Sequence, residues 1–167
     1  MTILIAGGGI GGLTLALSLH QIGVRARVFE SVSELKPLGV GINVLPHAVR
    51  ELIELGLLEK LDASGVRTKE LAYFSRHGKP IWSEPRGLEA GYKWPQYAVH
   101  RGRFHMMLYD ELLRRAGPNC VSTGWSATGF DNTPGRAVLH LRSSRGETRT
   151  EAGTVLIGAD GSLTIHA

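Results

Sequence analysis

The sequence has few of the residues that build metal and disulfide sites. Its 167 residues include one cysteine, Cys120, which excludes an internal disulfide framework and a multi-cysteine zinc or iron–sulfur site. The histidines His100 and His105 are close in sequence, but no third ligand accompanies them at a useful spacing. We therefore expect no metal site and a reducing compartment.

Strong charge and long apolar runs are also missing. Lysine and arginine exceed aspartate and glutamate by only 4, and charged residues make up 20% of the chain, which excludes a disordered polyelectrolyte and a basic nucleic-acid-binding arm. No stretch approaches the roughly 18 apolar residues of a membrane helix. Residues 1–6 lack the basic flank of a signal peptide. We expect a cytoplasmic protein that binds neither nucleic acid nor a membrane.

Glycine, by contrast, is abundant, with 22 residues in the chain and five among the first twelve. Residues 2–6 form an apolar run suited to a buried strand, and residues 13–22 leave almost no polar face, as in a helix packed deeply on a sheet. Residues 24–30 carry a second apolar run. The pattern predicts a strand–helix–strand unit in a parallel sheet.

The break between the first strand and the helix satisfies the dinucleotide fingerprint G-x-G-x-x-G at residues 7–12. Gly7 allows a tight turn, Gly9 lets the backbone approach a pyrophosphate, and Gly12 permits close packing of helix on strand. At the helix N-terminus, the N–H groups of Ile10 and Gly11 favour a phosphate.

An acidic residue, Glu30, follows at the end of the second strand. Its carboxylate can accept the hydroxyl hydrogens of an adenosine ribose, and it disfavours a 2′-phosphate by charge repulsion. The fingerprint and Glu30 together predict a dinucleotide site but leave open which dinucleotide binds.

The remaining chain predicts both helices and strands. Residues 35–43 read as irregular because they are rich in glycine, and residues 154–158 are apolar throughout, so we expect that last strand inside a sheet. Between them the pattern predicts helices opening at Pro46 and at Arg101. It also predicts an antiparallel meander with a single strand over residues 123–130, a strand at 137–142 and a hairpin at 144–146.

Three later features accompany the fingerprint. They are Gly39-Val40-Gly41-Ile42-Asn43, Val99-His100-Arg101-Gly102-Arg103 at a strand-to-helix junction, and Ile157-Gly158-Ala159-Asp160-Gly161 after the last strand. A cation in the first turn of a helix opposes its dipole, so Arg101 favours an anion nearby.

Together with the fingerprint, these three segments resemble the flavin monooxygenases of the p-hydroxybenzoate and salicylate hydroxylase type. The resemblance extends over essentially the whole chain. Residues 37–43, 82–87 with 89–91, and 95–97 with 100–102 look like the phenazine monooxygenase branch.

The resemblance implies an α/β fold: a Rossmann-like FAD-binding βαβ unit with a parallel sheet, an antiparallel β-meander crossover and part of a substrate-domain sheet. It implies FAD as cofactor, NADH or NADPH as transient reductant, and a small aromatic substrate. By the same resemblance, Gly41 lies near the isoalloxazine ring, Arg101 contacts FAD, and Asp160 belongs to a motif associated with FAD and reduced nicotinamide. No catalytic side chain is assigned, because catalysis in this family depends chiefly on flavin placement.

Members of that family continue beyond the Asp-Gly motif, and residues 162–167 depart from the helix start found there. We therefore expect residues 1–167 to be a single FAD-binding domain, the N-terminal portion of a longer monooxygenase, with an inserted substrate-domain segment at about 68–98. In that family, the groups that close around the ribityl chain and the ring of FAD come after this motif, so we expect weak flavin retention. Strand edges and apolar faces left exposed predict homo-oligomers.

Two alternatives remain open. One is an NAD-dependent dehydrogenase domain that uses the same fingerprint and Glu30, although the Arg101 and Asp160 motifs argue against it. The other is a non-catalytic remnant that binds nucleotide or folds only with a partner.

Overall fold

A computed structural model of the protein describes residues 1–161, so the unusual tail at residues 162–167 lies outside the described residues. The described residues divide into two compact units, one combining Met1–Lys36 with the described residues from His105 onward and the other formed by Pro37–Phe104. The strands, in chain order, are β1 Thr2–Ala6, β2 Arg25–Glu30, β3 Gly41–Val44, β4 Gly65–Thr68, β5 Glu70–Phe74, β6 Pro80–Pro85, β7 Gln96–His100, β8 Val121–Thr123, β9 Trp125–Thr133, β10 Arg136–Ser143, β11 Thr148–Gly153 and β12 Val155–Gly158. The α-helices are α1 Ile10–Gln21, α2 Pro46–Glu54, α3 Leu58–Ser64 and α4 Arg101–Ala116.

The first unit is built on a four-stranded parallel sheet with the order β12-β1-β2-β8. The last four residues of β1 are buried, as expected for a parallel strand covered on both faces. Between β1 and β2, α1 buries Leu13, Ala16 and Leu17. These elements confirm the predicted α/β fold with its βαβ unit.

A second sheet of the same unit is the antiparallel meander β11-β10-β9. Alternate residues of β10 are buried, which is the pattern of a strand with one face on a core. Leu139 and Leu141 share a hydrophobic cluster with Leu4, Ala6 and Phe29 of the parallel sheet. The predicted meander is confirmed, and its inward face covers the strands that carry the glycine-rich loop.

Three local expectations are wrong. The last strand, β12, lies at the edge of the sheet in the described structure, and Val155 is 42% exposed. Residues 41–43 belong to β3, which pairs with β7, because tertiary pairing overrides a poor local strand preference. The single strand expected at 123–130 is divided between β8 and β9 by Gly124, whose φ of +77° turns the chain from one sheet to the other.

The second unit contains the antiparallel sheet β3-β7-β4 and the hairpin β5-β6. The helices α2 and α3 bury Val49, Leu52 and Leu61. None of the helices in the described part of the chain is long and apolar enough to cross a membrane.

A hydrogen-bonded cluster connects three elements of this unit. The buried Tyr97 of β7 donates its hydroxyl to Asp62 Oδ1 of α3 at 2.6 Å, and Arg67 of β4 donates to both Asp62 oxygens at 2.8 and 2.7 Å. Hydrogen bonds from Arg67 and then Tyr97 lower the pKa of Asp62. Burial, and then the hydrogen bond to Asp62, raises the pKa of Tyr97 above its ordinary value of 10.0.

The lowered pKa of Asp62 predicts a loss of stability in acid. Because the folded state binds the Asp62 proton more weakly than the unfolded chain, this contribution is present above pH 3.8 and is lost as the pH falls through the lowered pKa. We expect the unfolding midpoint of Asp62→Asn to vary less with pH below about 4 than that of the wild type in denaturant titrations. Glu70→Gln, which changes an exposed carboxylate of β5, is the control and should keep the wild-type acid dependence. An unchanged acid dependence in Asp62→Asn would contradict the assignment.

Candidate functional site

The glycine-rich loop joins β1 to α1 and is packed tightly at two of its glycines. Gly7 has a φ of +113°, and a Cβ there would lie 2.4 Å from the Ala159 carbonyl oxygen. A Cβ at Gly12 would lie 2.0 Å from the Gly7 carbonyl oxygen. No side chain fits at either position without moving the backbone.

The same loop is open at its other glycines. A Cβ at Gly9 or at Gly11 would meet no atom within 4 Å. Gly9 is the N-cap of α1, where no described side chain caps the helix, and the first turn contains no acidic residue. The first N–H groups of a helix lack partners within the helix and carry the positive end of its dipole. The loop therefore offers main-chain donors and space beside them to an anion.

Glu30 is fixed beside this loop at the end of β2. Its Oε2 accepts the Gly8 N–H at 2.7 Å, and its Oε1 accepts the Val32 N–H and the Ser31 hydroxyl, both at 2.9 Å. A carboxylate has about four acceptor positions, so these three donors orient Glu30 and leave acceptor capacity for a ligand.

Gly8 was missed by sequence reasoning, because it occupies a variable position of the fingerprint. The position nevertheless requires glycine, since a Cβ there would lie 2.9 Å from Glu30 Cβ. The available signal was the run of three glycines at residues 7–9.

The sequence predicts a packing or surface role for His105 rather than a metal ligand. The structure places its Nε2 2.6 Å from the Gly8 carbonyl oxygen, across 97 residues of sequence. Among residues 1–161, no group of three histidine, cysteine, aspartate or glutamate side chains could hold a metal.

Asp160 follows β12 at the same edge of the sheet as the loop. The Ala159 N–H donates to the Ala6 carbonyl oxygen at 2.7 Å, and a Cβ at Gly7 would lie 2.7 Å from the Asp160 backbone nitrogen. The structure thus brings the loop, Glu30 and Asp160 together at the carboxyl ends of parallel strands, where open α/β sheets bind ligands.

Gly41 and Arg101 lie in the second unit and are close to each other there. Arg101 is the exposed first residue of α4, and its N–H donates to the Val40 carbonyl oxygen at 2.9 Å. Gly41 pairs with His100. A Cβ at Gly102 would lie 2.2 Å from the Pro37 carbonyl carbon, so this glycine lets the segment before β3 approach the start of α4.

A glycine-rich turn between a buried strand and a helix, with an acidic residue at the end of the next strand, defines a dinucleotide-binding protein of the Rossmann type. The sequence profile of the family described as "FAD binding domain" matches residues 1–166. The chain belongs to this FAD-binding family.

Curated relatives carry names of hydroxylating enzymes. The chain is 47% identical over 162 residues to the phenazine 1,6-dicarboxylic acid hydroxylase PhzS of Lysobacter antibioticus, covering 95% of this chain and 40% of that protein. It is 36% identical over 164 residues to 3-hydroxybenzoate 6-hydroxylase 1 of Aquipseudomonas alcaligenes, again covering 95% and 40%. The chain thus spans about 40% of the length of these relatives.

Solved structures share the fold. The Klebsiella pneumoniae HpxO structure complexed with FAD and uric acid matches 99% of this chain and 40% of its own, with a TM-score of 0.76 and 26% identity. The p-nitrophenol 4-monooxygenase PnpA of Pseudomonas putida DLL-E4 matches 98% of this chain and 42% of its own, with a TM-score of 0.85 and 21% identity.

Proposed function

We propose that the glycine-rich loop and Glu30 hold the ADP half of FAD. The observation that carries this proposal is the juxtaposition of the uncapped start of α1, the open space at Gly9 and Gly11, and the oriented Glu30 carboxylate. The N–H groups of Gly9, Ile10 and Gly11 bind the pyrophosphate, and Glu30 accepts the ribose hydroxyls.

The other predicted site residues have supporting roles in this proposal. Gly7 and Gly12 let the loop pack closely enough to present its amides. Asp160 contacts the flavin side of the cofactor from the end of β12. Gly41 leaves room for the ring, and Arg101 binds an anionic part of the cofactor; its exposed position in the first turn of α4, beside Arg103 and without an acidic residue, supports this because two cations there oppose the helix dipole.

The activity proposed for the whole protein is hydroxylation of a small aromatic compound with NADH or NADPH as reductant. The names of the relatives, among them a phenazine dicarboxylic acid hydroxylase and a hydroxybenzoate hydroxylase, support this reaction class. When bound, FAD supplies the redox chemistry that connects a nicotinamide to oxygen. The glycine-rich loop, Glu30 and the other proposed site residues bind and orient the cofactor.

We also propose that the chain is the N-terminal portion of a longer protein, with residues of about 68–98 inserted from a substrate domain. The coverage of about 40% of the relatives supports this. So does β12, an apolar strand at the sheet edge beside a cavity of about 530 Å³ that Val155, Leu156 and Phe130 line. An exposed apolar edge invites pairing with another strand, so isolated copies of this chain associate.

Ligand-dependent melting tests the proposed cofactor. FAD at a hundredfold excess over its Kd should stabilise the chain by about 2.7 kcal/mol, raising Tm by roughly 5 to 10 °C. At the same concentration, ADP-ribose and NADH, which carry the same ADP half, should give shifts no larger than that of FAD. A larger shift with NADH would favour the dehydrogenase, and no shift with any of the three would favour the remnant.

Gly9→Val is the matched control for this experiment. A Cβ at Gly9 meets no atom of the protein within 4 Å, and the valine side chain occupies the space proposed for the phosphates, so the variant should keep the wild-type Tm without ligand and lose the shift. Light scattering on the same samples measures association, and a monomer that retains FAD tightly and in a one-to-one ratio would contradict the expected weak retention.

A further inference from the structure

We infer that His105 is a positioning residue, which holds the Gly8–Gly9 peptide in the orientation that directs the Gly9 N–H toward the pyrophosphate. The inference rests on the proposed function. The His105 Nε2 lies 2.6 Å from the Gly8 carbonyl oxygen. Because a carbonyl oxygen only accepts hydrogen bonds, Nε2 must carry the proton and donate it.

The direction of the Gly9 N–H follows from peptide geometry. The Gly8–Gly9 bond is trans, like every peptide bond in the described structure, and in a planar trans peptide the C=O and the N–H point in opposite directions. A Gly8 oxygen held by His105 therefore directs the Gly9 N–H away from α4. Space for a phosphate exists at Gly9, where even a Cβ would meet no neighbour within 4 Å.

The loop needs such a constraint because residues 7–9 are consecutive glycines. Glycine adopts both signs of φ at little cost, so side-chain sterics do not prevent the Gly8–Gly9 peptide from rotating by about half a turn. The rotated peptide would present the Gly8 oxygen where the Gly9 N–H had been. A carbonyl oxygen repels a phosphate, and the site would lose a donor as well.

Glu30 fixes the preceding peptide in a complementary way. Its Oε2 accepts the Gly8 N–H at 2.7 Å, so the two peptide planes that meet at Gly8 are held by β2 on one side and α4 on the other. Regular elements fix a binding group more accurately than a loop does by itself. His105 and Glu30 together convert a flexible glycine run into an oriented set of donors.

Three variants separate this role from general stability. His105→Leu removes the donor, and His105→Gln restores an N–H donor on a flexible side chain. His20→Leu is the matched control, because the His20 Nε2 also bonds a main-chain carbonyl oxygen, that of Arg115 at 3.1 Å, near the C-terminal end of α1. Calorimetric titration with ADP-ribose should show about tenfold weaker binding for His105→Leu, the loss of one hydrogen bond to an oriented group. The other two variants should stay within about threefold of the wild type.

A measurement without nucleotide makes the inference independent of the proposed function. In ¹H–¹⁵N spectra of the ligand-free chain, the Gly8 and Gly9 amides should shift and exchange faster with solvent in His105→Leu but not in His20→Leu. If the wild type fails to bind ADP-ribose, the proposed function fails, yet these spectra still decide the role of His105. Unchanged Gly8 and Gly9 amides in His105→Leu would overturn the inference. So would wild-type affinity in His105→Leu, or an equal loss of affinity in His20→Leu.

Discussion

Gly12→Ala is expected to destabilise the first unit by about 3 kcal/mol or to prevent its folding, the upper range for inserting a methyl group into a packed site. The added Cβ would lie 2.0 Å from the Gly7 carbonyl oxygen, a backbone atom that cannot rotate away. Relief requires the loop to separate from α1, which would also disturb the close approach of Gly7 to Ala159.

Gly11→Ala is the control, since it adds the same methyl group one residue earlier. A Cβ there meets no atom within 4 Å, and alanine is favoured over glycine in a helix by about 0.5 to 1 kcal/mol. Chemical denaturation of the two ligand-free variants should therefore give changes of opposite sign. Equal stabilities for Gly11→Ala and Gly12→Ala would show that the loop is not packed as described.

Glu30→Gln is expected to weaken ADP-ribose binding by roughly ten- to a hundredfold, the range that one hydrogen bond to a charged group provides. The substitution keeps the shape of the side chain and one oxygen that can still accept the Gly8 N–H. It removes the negative charge and the second acceptor oxygen, so the ribose hydroxyls lose a partner. Isothermal titration of both proteins measures the difference.

A second ligand tests the charge at this position. The wild type should strongly prefer ADP-ribose over its 2′-phosphorylated form, and Glu30→Gln should narrow that preference because it removes the repulsion. Glu34→Gln changes an exposed carboxylate that pairs with Lys36 at 3.0 Å and should bind both ligands as the wild type does. If Glu30→Gln bound ADP-ribose with wild-type affinity and kept the wild-type preference over the 2′-phosphorylated form, Glu30 would not be part of the site.

The sequence predicted the parts of the fold that depend on neighbouring residues. Apolar runs and the glycine break determine β1, α1 and β2 locally, and the turn chemistry around residues 134–135 and 144–146 does the same for the meander. The edge position of β12 could not be predicted. An apolar run indicates that both faces of a strand are covered, but it does not indicate whether one or two strands pair with it. Gly124 shows a related limit, since only its φ of +77° separates β8 from β9.

The candidate site also combines residues that the sequence predicts with a contact that it does not. The fingerprint glycines and Glu30 follow from a spacing that the chemistry of a dinucleotide requires. The contact of His105 with Gly8 has no sequence signal, because it joins residues 97 positions apart and involves a main-chain oxygen that any residue would offer.

The pairing of β1 with β12 also constrains how the protein is made. Thr2 and Thr154 are in contact although 152 positions separate them, and Ala159 supports the turn at Gly7. During translation the first strand therefore leaves the ribosome long before its neighbour is synthesised. Contacts this distant slow folding and leave apolar segments exposed in the meantime, so one side of β1 stays unpaired until residues 155–158 have been made.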